Sequence, residues 1–186
     1  MKYLIFGLGN IGEEYAGSRH NIGFLIADAL ASSLKGTFSS DRYATISRFK
    51  YKGHILIAVK PSTYMNLSGK AVRYWMKKEN VPLENILVLV DDIALPLGTL
   101  RMNPKGSDGG HNGLIDIIEK LQSIDFPRFR FGIGNDFAKG FQVEFVLSRW
   151  TKNEEEIIIP KINKAVEMIK SFVTIGIERT MTQYNE

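Results

Sequence analysis

The chain has 186 residues, of which 44% are hydrophobic, and it carries 24 Lys and Arg against 20 Asp and Glu. This length suits one domain with a sizeable core, so we expect a single domain over residues 1–186. Cys is absent and no apolar run reaches about 18 residues, so we expect neither disulfide bonds nor a membrane span. The net charge of +4 favours polyanionic partners only mildly.

The chain begins with a short apolar run, Lys2–Phe6, which predicts a buried strand. The glycine-rich stretch Gly7–Gly12 follows it, in the pattern of a dinucleotide-binding turn. That turn needs a helix to open at its third glycine, but Gly17 interrupts the next segment, and Glu13 and Glu14 would repel a phosphate. A dinucleotide-binding oxidoreductase is therefore the less favoured alternative.

Two polar side chains stand at the ends of this loop, Asn10 near its start and His20 where the next periodic segment begins. Active sites of open α/β sheets gather at such strand ends. Asn21–Leu34 has apolar residues at helical spacing and is predicted to form an amphipathic helix.

The middle of the chain predicts a hairpin, a helix and a central strand. Tyr43–Tyr51 and His54–Lys60 read as two strands joined by a tight turn. Ser68 is predicted to cap a helix over Gly69–Asn80. The uninterrupted apolar run Ile86–Val90 is typical of a central parallel strand.

The next predicted elements are a short strand over Leu97–Met102, a helix over Leu114–Leu121 and a strand over Phe126–Ile133. In the last of these, Arg128 and Arg130 alternate with large apolar residues, which predicts a strand with one buried face.

The C-terminal part predicts a lid or edge strand at Phe141–Leu147, then a helix from Glu154 with a kink or break at Pro160. A final helix is expected over Gly176–Tyr184. Helices alternate with strands around an apolar central run. The predicted fold class is therefore α/β, a single domain whose twisted, mixed and mostly parallel sheet is flanked by helices on both faces.

Asp91 ends the predicted central strand and can reach a histidine above a neighbouring strand end. Such a carboxylate would orient the imidazole of His20 and stabilise its charged form. Neither Ser18 nor Ser68 lies in a nucleophile elbow, so His20 most simply activates water as a general base. Asp91 and Asp92 could instead hold Mg²⁺, but no further acids converge there, and we expect no metal and no cofactor.

Three asparagines, Asn10, Asn66 and Asn112, lie in loops beside regular elements. Asparagine in loops commonly serves turn geometry. Neutral amides around a candidate base can also hold a carbonyl group and a water without taking the proton. This combination suits hydrolysis of an ester or amide.

Four sequence blocks resemble the signatures of the bacterial peptidyl-tRNA hydrolases. They are Gly7-Leu8-Gly9-Asn10 with Tyr15 and Arg19-His20-Asn21, Pro61-x-x-Tyr64-Met65-Asn66-Leu67-Ser68-Gly69, Asp91-Asp92-x-x-Leu95-Pro96-x-Gly98, and Gly106-Ser107-x-Gly109-Gly110-His111-Asn112-Gly113-Leu114. The resemblance continues through Arg128-x-Arg130-x-Gly132-Ile133-Gly134 and Val146-Leu147. Any one block is weak evidence, but four in order at similar spacing are highly specific.

The resemblance implies a monomeric cytoplasmic esterase, without a cofactor or membrane contact, that frees tRNA from prematurely released peptidyl-tRNA. Its partners would be the acceptor stem and CCA end of that substrate, and the 50S ribosomal subunit that carries trapped peptidyl-tRNA. In this family His20 matches the base, Asp91 the acid that keeps it basic, and Asn10 the residue that distinguishes N-blocked from free aminoacyl-tRNA. Other positions match contacts to the acceptor end or the peptide: Tyr15, Tyr64, Asn66 and Asn112.

Basic residues near the predicted site loops are candidate contacts to the RNA backbone. They are Arg101, Lys105, Arg128 and Arg130, with Lys139 and Arg149 further along the chain. His111 is a weaker family match, and Asp108 places a negative charge in a loop expected near RNA. A non-catalytic RNA-binding protein on the same fold is the remaining alternative, and the presence of His20 and Asp91 favours the enzyme.

Overall fold

A seven-stranded mixed sheet organises the chain in the computed structural model, which describes residues 1–186. The strands are β1 (Lys2–Gly7), β2 (Ser39–Asp41), β3 (Ala44–Tyr51), β4 (His54–Pro61), β5 (Ile86–Asp92), β6 (Leu100–Asn103) and β7 (Arg128–Gly132). Their order across the sheet is β2-β3-β4-β1-β5-β7-β6. β1 pairs in parallel with β4 and β5, and β5 with β7, whereas the other three pairings are antiparallel. The sheet is mixed as predicted, but half of its pairings are parallel rather than most.

Six α-helices surround the sheet. They are α1 (Ile22–Ser33), α2 (Ser68–Glu79), α3 (Asn112–Leu121), α4 (Gln142–Leu147), α5 (Lys152–Ile175) and α6 (Ile177–Tyr184). Short 3₁₀ turns occupy Glu13–Tyr15, Arg19–Asn21, Met65–Leu67 and Leu83–Asn85. None of the helices combines the length and the apolar character needed to cross a membrane.

The two faces of the sheet carry separate hydrophobic cores, because successive side chains of a strand point to opposite faces. Tyr3 and Ile5 of β1 belong to a core shared with α1 and α5, whereas Leu4 and Phe6 belong to one shared with α2 and α3. These four residues are all buried. Helices therefore cover both faces, which confirms the predicted class.

The predicted hairpin is confirmed by antiparallel β3 and β4, whose last pair joins Tyr51 to His54. Lys52 and Gly53 between them have φ of 46° and 81°, the left-handed geometry of a two-residue hairpin turn. β2 was not predicted, because its three residues are exposed and polar and show no alternation.

The predicted cap of α2 is wrong. The turn Met65–Leu67 runs directly into the helix, so Ser68 is itself helical, with φ −59° and ψ −31°, and cannot take the extended cap conformation. The Ser68 hydroxyl instead donates to the carbonyl of Met65 at 2.7 Å. Asp116 of α3 accepts from the backbone N–H of Gly69 at 2.8 Å and satisfies the first turn of α2.

Two expectations for the C-terminal part also differ from the structure. Residues 142–147 form the helix α4 rather than an edge strand, and Val143, Val146 and Leu147 share one face at i, i+3 and i+4. α5 runs as one helix through Pro160, so of the predicted kink or break, the break does not occur. Pro160 is exposed, whereas Ile158 is buried in the core. Packing of the apolar face therefore carries the helix past the proline.

Candidate active site

The glycine-rich loop after β1 serves close packing rather than phosphate binding. A Cβ on Gly7 would lie 2.3 Å from the carbonyl oxygen of Gly23, so α1 can approach the end of β1 only because both positions lack side chains. Gly12, at φ 109°, leads into the turn Glu13–Tyr15, and the first α-helix begins only at Ile22. The helix N-terminus that a dinucleotide turn needs is therefore absent.

His20 and Asp91 meet at the carboxyl edge of the sheet. His20 lies in the turn before α1, and Asp91 lies near the end of β5, the neighbour of β1. The Nδ1 atom of His20 is 2.8 and 2.9 Å from the two carboxylate oxygens of Asp91. A carboxylate only accepts, so Nδ1 carries the proton and Nε2 of the neutral ring is an acceptor.

His111 binds the same carboxylate from the other side and in the opposite tautomer. Its Nε2 lies 2.9 Å from Oδ1 of Asp91. Its Nδ1 accepts from the backbone N–H groups of Gly113 (3.1 Å) and Leu114 (3.3 Å), so His111 caps the N-terminus of α3. With Nδ1 used as an acceptor, the proton must lie on Nε2, and His111 donates to Asp91.

The carboxylate between these two rings is buried, with its side chain 3% exposed. Burial alone would raise the pKa of Asp91, but the neighbouring His20 and His111 hold that pKa well below its ordinary value. Asp91 is therefore an ionised acceptor that orients both imidazoles.

Asn10 is fixed at one end of its amide. Its Oδ1 accepts from the backbone N–H of Met65 at 2.7 Å. Its own backbone is held by Asn21, which accepts from the Asn10 N–H and donates to the Asn10 carbonyl, both at 2.9 Å. These bonds leave the Nδ2 group of Asn10 available to a ligand, with its orientation already set.

One cavity of about 570 Å³ contains most of the predicted site residues. It is lined by Asn10, His20, Asn66, Asp91, His111 and Asn112, with Val143, Val146 and Leu147 of α4 on its wall. Tyr15, Tyr64 and Arg101 do not line it, and Tyr64 is 52% exposed.

The predicted basic contacts separate into accessible and buried groups. Lys105, Arg128 and Arg130 line the cavity, and Arg130 also donates to Asp92 at 2.6 Å. Lys139 and Arg149 are exposed but lie outside the cavity lining. Arg101 donates to the carbonyl of Glu186 at 2.5 Å.

Arg128 differs from the expectation, because only 2% of it is exposed. Its guanidinium donates to the carbonyls of Ser107 (3.1 Å) and Ile124 (2.8 Å). Burial, together with the charge of Arg130, lowers the pKa of Arg128 to about 10. The prediction of a strand with only one buried face is therefore wrong at this position, because loop carbonyls accept hydrogen bonds from the buried guanidinium.

His20, Asp91 and His111 also place three potential metal ligands within 4.8 Å of one another. The ring nitrogens that face Asp91 are the two that donate hydrogen bonds to it, so a metal bound through these nitrogens would have to displace both imidazole protons. The hydrogen-bonded arrangement uses all three groups without one.

The sequence indicates only a minor site role for His111 and none for Asn21. The one sequence feature that points to a site role for Asn21 is its position beside His20 at the start of a helix. Asp108 also has a local role, since its carboxylate accepts from the backbone N–H of Gly110 at 2.7 Å, which ties down the loop before α3.

Comparison with known proteins shows the family to which the chain belongs. The family model described as peptidyl-tRNA hydrolase matches residues 4–186. Peptidyl-tRNA hydrolase of Porphyromonas gingivalis is 59% identical over 185 residues, and that of Phocaeicola vulgatus is 56% identical over 186, with each alignment covering 100% of both chains. The crystal structure of peptidyl-tRNA hydrolase from Acinetobacter baumannii superimposes with a TM-score of 0.93 at 34% identity, covering 98% of this chain and 94% of that one. The chain therefore belongs to the peptidyl-tRNA hydrolase family, the hydrolases that act on the ester bond of peptidyl-tRNA.

Proposed function

We propose that His20 is the general base that activates water for hydrolysis of the ester between peptide and tRNA. The observation that carries this proposal is the bond from His20 Nδ1 to Asp91, which leaves Nε2 as the acceptor beside the cavity. Nε2 takes a proton as water attacks the ester carbonyl. The resulting imidazolium then returns the proton to the departing ribose oxygen of the tRNA.

Asp91 and the asparagines complete this proposed mechanism. The negative charge of Asp91 stabilises the imidazolium that forms during attack, without taking its proton. The amides of Asn10, Asn66 and Asn112 line the same cavity and can donate to the peptide carbonyl and to the oxygen that becomes negative. No metal or cofactor enters the mechanism.

The proposed substrate is peptidyl-tRNA released prematurely from the ribosome, bound through its acceptor stem and CCA end. Lys105 and Arg130 at the cavity are the proposed phosphate contacts, and Tyr15 and Tyr64 the proposed contacts beyond it. We infer that the chain acts as a cytoplasmic monomer, and that peptidyl-tRNA trapped on the 50S subunit is a second source of substrate. The resemblance to the family supports these assignments.

The test is release of tRNA from N-acetyl-aminoacyl-tRNA by the wild-type chain and by His20→Ala, with and without EDTA. Loss of a general base is expected to lower kcat by about 10²- to 10⁴-fold. His54→Ala is the matched control, because His54 lies in β4 outside the cavity, and it should keep wild-type activity. Near wild-type kcat in His20→Ala would exclude the mechanism. Loss of activity in EDTA that Mg²⁺ restores would indicate a metal at Asp91 and Asp92 instead.

A further inference from the structure

Helix α4 forms one wall of the catalytic cavity and packs against the core only through the half-buried side chains of Phe145 and Val146. None of its six residues is buried, and Val143 is 64% exposed although it lines the cavity. A helix of this length is not stable in isolation. Something outside α4 must therefore hold it over His20.

Arg19, the residue before His20, makes the contacts that hold the end of α4. Its guanidinium donates to the carbonyl of Phe145 at 3.1 Å and to the hydroxyl of Ser148. It also lies 4.3 Å from the centroid of the Phe145 ring, in the geometry of a cation–π contact. The Arg19 backbone N–H donates to the Ser148 carbonyl at 3.0 Å, so both main chain and side chain of Arg19 reach the same helix end.

The same guanidinium is anchored on its other side by α5. It donates to Oε1 of Glu154 at 2.6 Å, and the Arg19 side chain is only 7% exposed. Glu154 is fixed in turn by the capping box of α5, in which it accepts from the backbone N–H of Thr151 at 2.8 Å. Arg19 therefore joins the stable start of α5 to the weakly packed end of α4.

We propose that Arg19 is a positioning residue. Its side chain holds the C-terminal end of α4 in place, so that α4 forms the wall of the cavity beside His20. These contacts require a planar group that can donate hydrogen bonds in several directions and stack on an aromatic ring at the same time. A guanidinium can do this, whereas the single ammonium of lysine cannot. Without the contacts of Arg19, α4 would be displaced from the cavity wall for more of the time. Substrate binding would then have to supply the free energy of ordering α4.

The proposal separates KM from kcat. Arg19→Lys should raise KM for N-acetyl-aminoacyl-tRNA by about tenfold, the effect of losing one charge-assisted hydrogen bond, and should change kcat far less because the Asp91–His20 pair is intact. Hydrogen exchange of the backbone amides at 143–148 should accelerate by a similar factor. Arg48→Lys is the control, since it makes the same change in the ion pair between Arg48 on β3 and Glu79 on α2, and both measurements should stay at wild-type values.

Two further variants keep the test decisive if Arg19→Lys folds poorly. Glu154→Gln retains an oxygen acceptor for Thr151 but removes the charge opposite Arg19, and Phe145→Leu removes the ring under the guanidinium. Each should raise KM and speed exchange in α4 in the same direction as Arg19→Lys. Wild-type exchange at 143–148 in these variants, or a fall in kcat with unchanged KM, would overturn the proposal and leave Arg19 a purely structural residue. The exchange measurement needs no catalysis, so its outcome is independent of the role proposed for His20.

Discussion

At the scale of single residues, the side-chain amide of Asn10 is hydrogen-bonded within the protein at one end only. Its oxygen accepts from the Met65 N–H, which fixes the side chain, and its Nδ2 group is left to donate toward the cavity. A peptidyl-tRNA has an amide carbonyl one residue back from the ester, where a free aminoacyl-tRNA has an ammonium group. An Nδ2 donor would bond the first group and not the second.

Substitutions at Asn10 test this recognition. Asn10→Asp keeps the acceptor for Met65 but loses the donor, so kcat/KM for N-blocked substrate should fall by about 10- to 100-fold, the cost of an unpaired polar group. The ratio of blocked to unblocked kcat/KM should shrink accordingly in Asn10→Asp, Asn10→Ala and Asn10→Gly. If Asn10 only shapes the turn, Asn10→Asp and Asn10→Gly should serve equally well. Full activity and selectivity in either variant would thus refute the recognition role.

Asp91 should also affect the pH dependence of stability. Its pKa is held below the ordinary value of 3.8 in the folded protein, so its contribution is fully present above about pH 4 and is lost as the pH falls further. Asp91→Asn should lower the free energy of unfolding at pH 7 by about 1–3 kcal/mol. In denaturant unfolding, the difference from wild type should be no smaller at pH 5 than at pH 7, and it should decrease below pH 4. A difference that already disappears between pH 7 and pH 5 would contradict the ionised carboxylate.

At the scale of elements, β7 shows how two residues on the same face of a strand can differ in role. Arg128 and Arg130 are two residues apart, so the strand period places both on one face. Both line the cavity, but Arg128 is buried and donates to loop carbonyls, whereas the side chain of Arg130 is 28% exposed. The sequence pattern could not separate them, because the difference comes from the loops packed over that face.

Binding of tRNA should follow this division. Lys105→Ala and Arg130→Ala should each weaken tRNA binding and reduce the slope of log K against log [salt] by about 1, since each removes one phosphate contact. Arg128→Ala should instead lower thermal stability, because it removes the buried guanidinium that donates to the carbonyls of Ser107 and Ile124. Binding that does not respond to salt, or is unchanged in both Lys105→Ala and Arg130→Ala, would show that these residues are not phosphate contacts.

Pro160 lies in the interior of α5, where proline removes one hydrogen bond and crowds the preceding turn. Since the residue is exposed, Pro160→Ala should restore that bond without disturbing the core. The free energy of unfolding should rise by about 1–3 kcal/mol in denaturant titration. A loss of stability would show that the ring makes a favourable contact.

At the scale of the whole molecule, the topology explains why the pair of His20 and Asp91 could be anticipated. β1 and β5 are adjacent and parallel, with Gly7 opposite Leu89, so the loop after one strand and the carboxylate ending the other meet at the same edge. The apolar run of β5 and the acid that follows it were accessible from local patterns, whereas the order of the strands was not predicted. The α4 wall was not, because a six-residue helix without a buried face leaves no periodic signal strong enough to separate it from a strand. The contacts at its end come in part from Arg19, which is more than 120 residues away in sequence.

The central claim is that Asp91 orders two histidines in opposite tautomers and leaves Nε2 of His20 as the base. The ¹⁵N NMR spectrum of histidine-labelled protein at neutral to mildly alkaline pH tests it directly, with His20→Ala and His111→Ala used for assignment. We expect His20 to carry its proton on Nδ1 with an unprotonated Nε2, and His111 to carry its proton on Nε2. A neutral His20 protonated on Nε2 would have no free acceptor for the water proton at the cavity and would contradict the account.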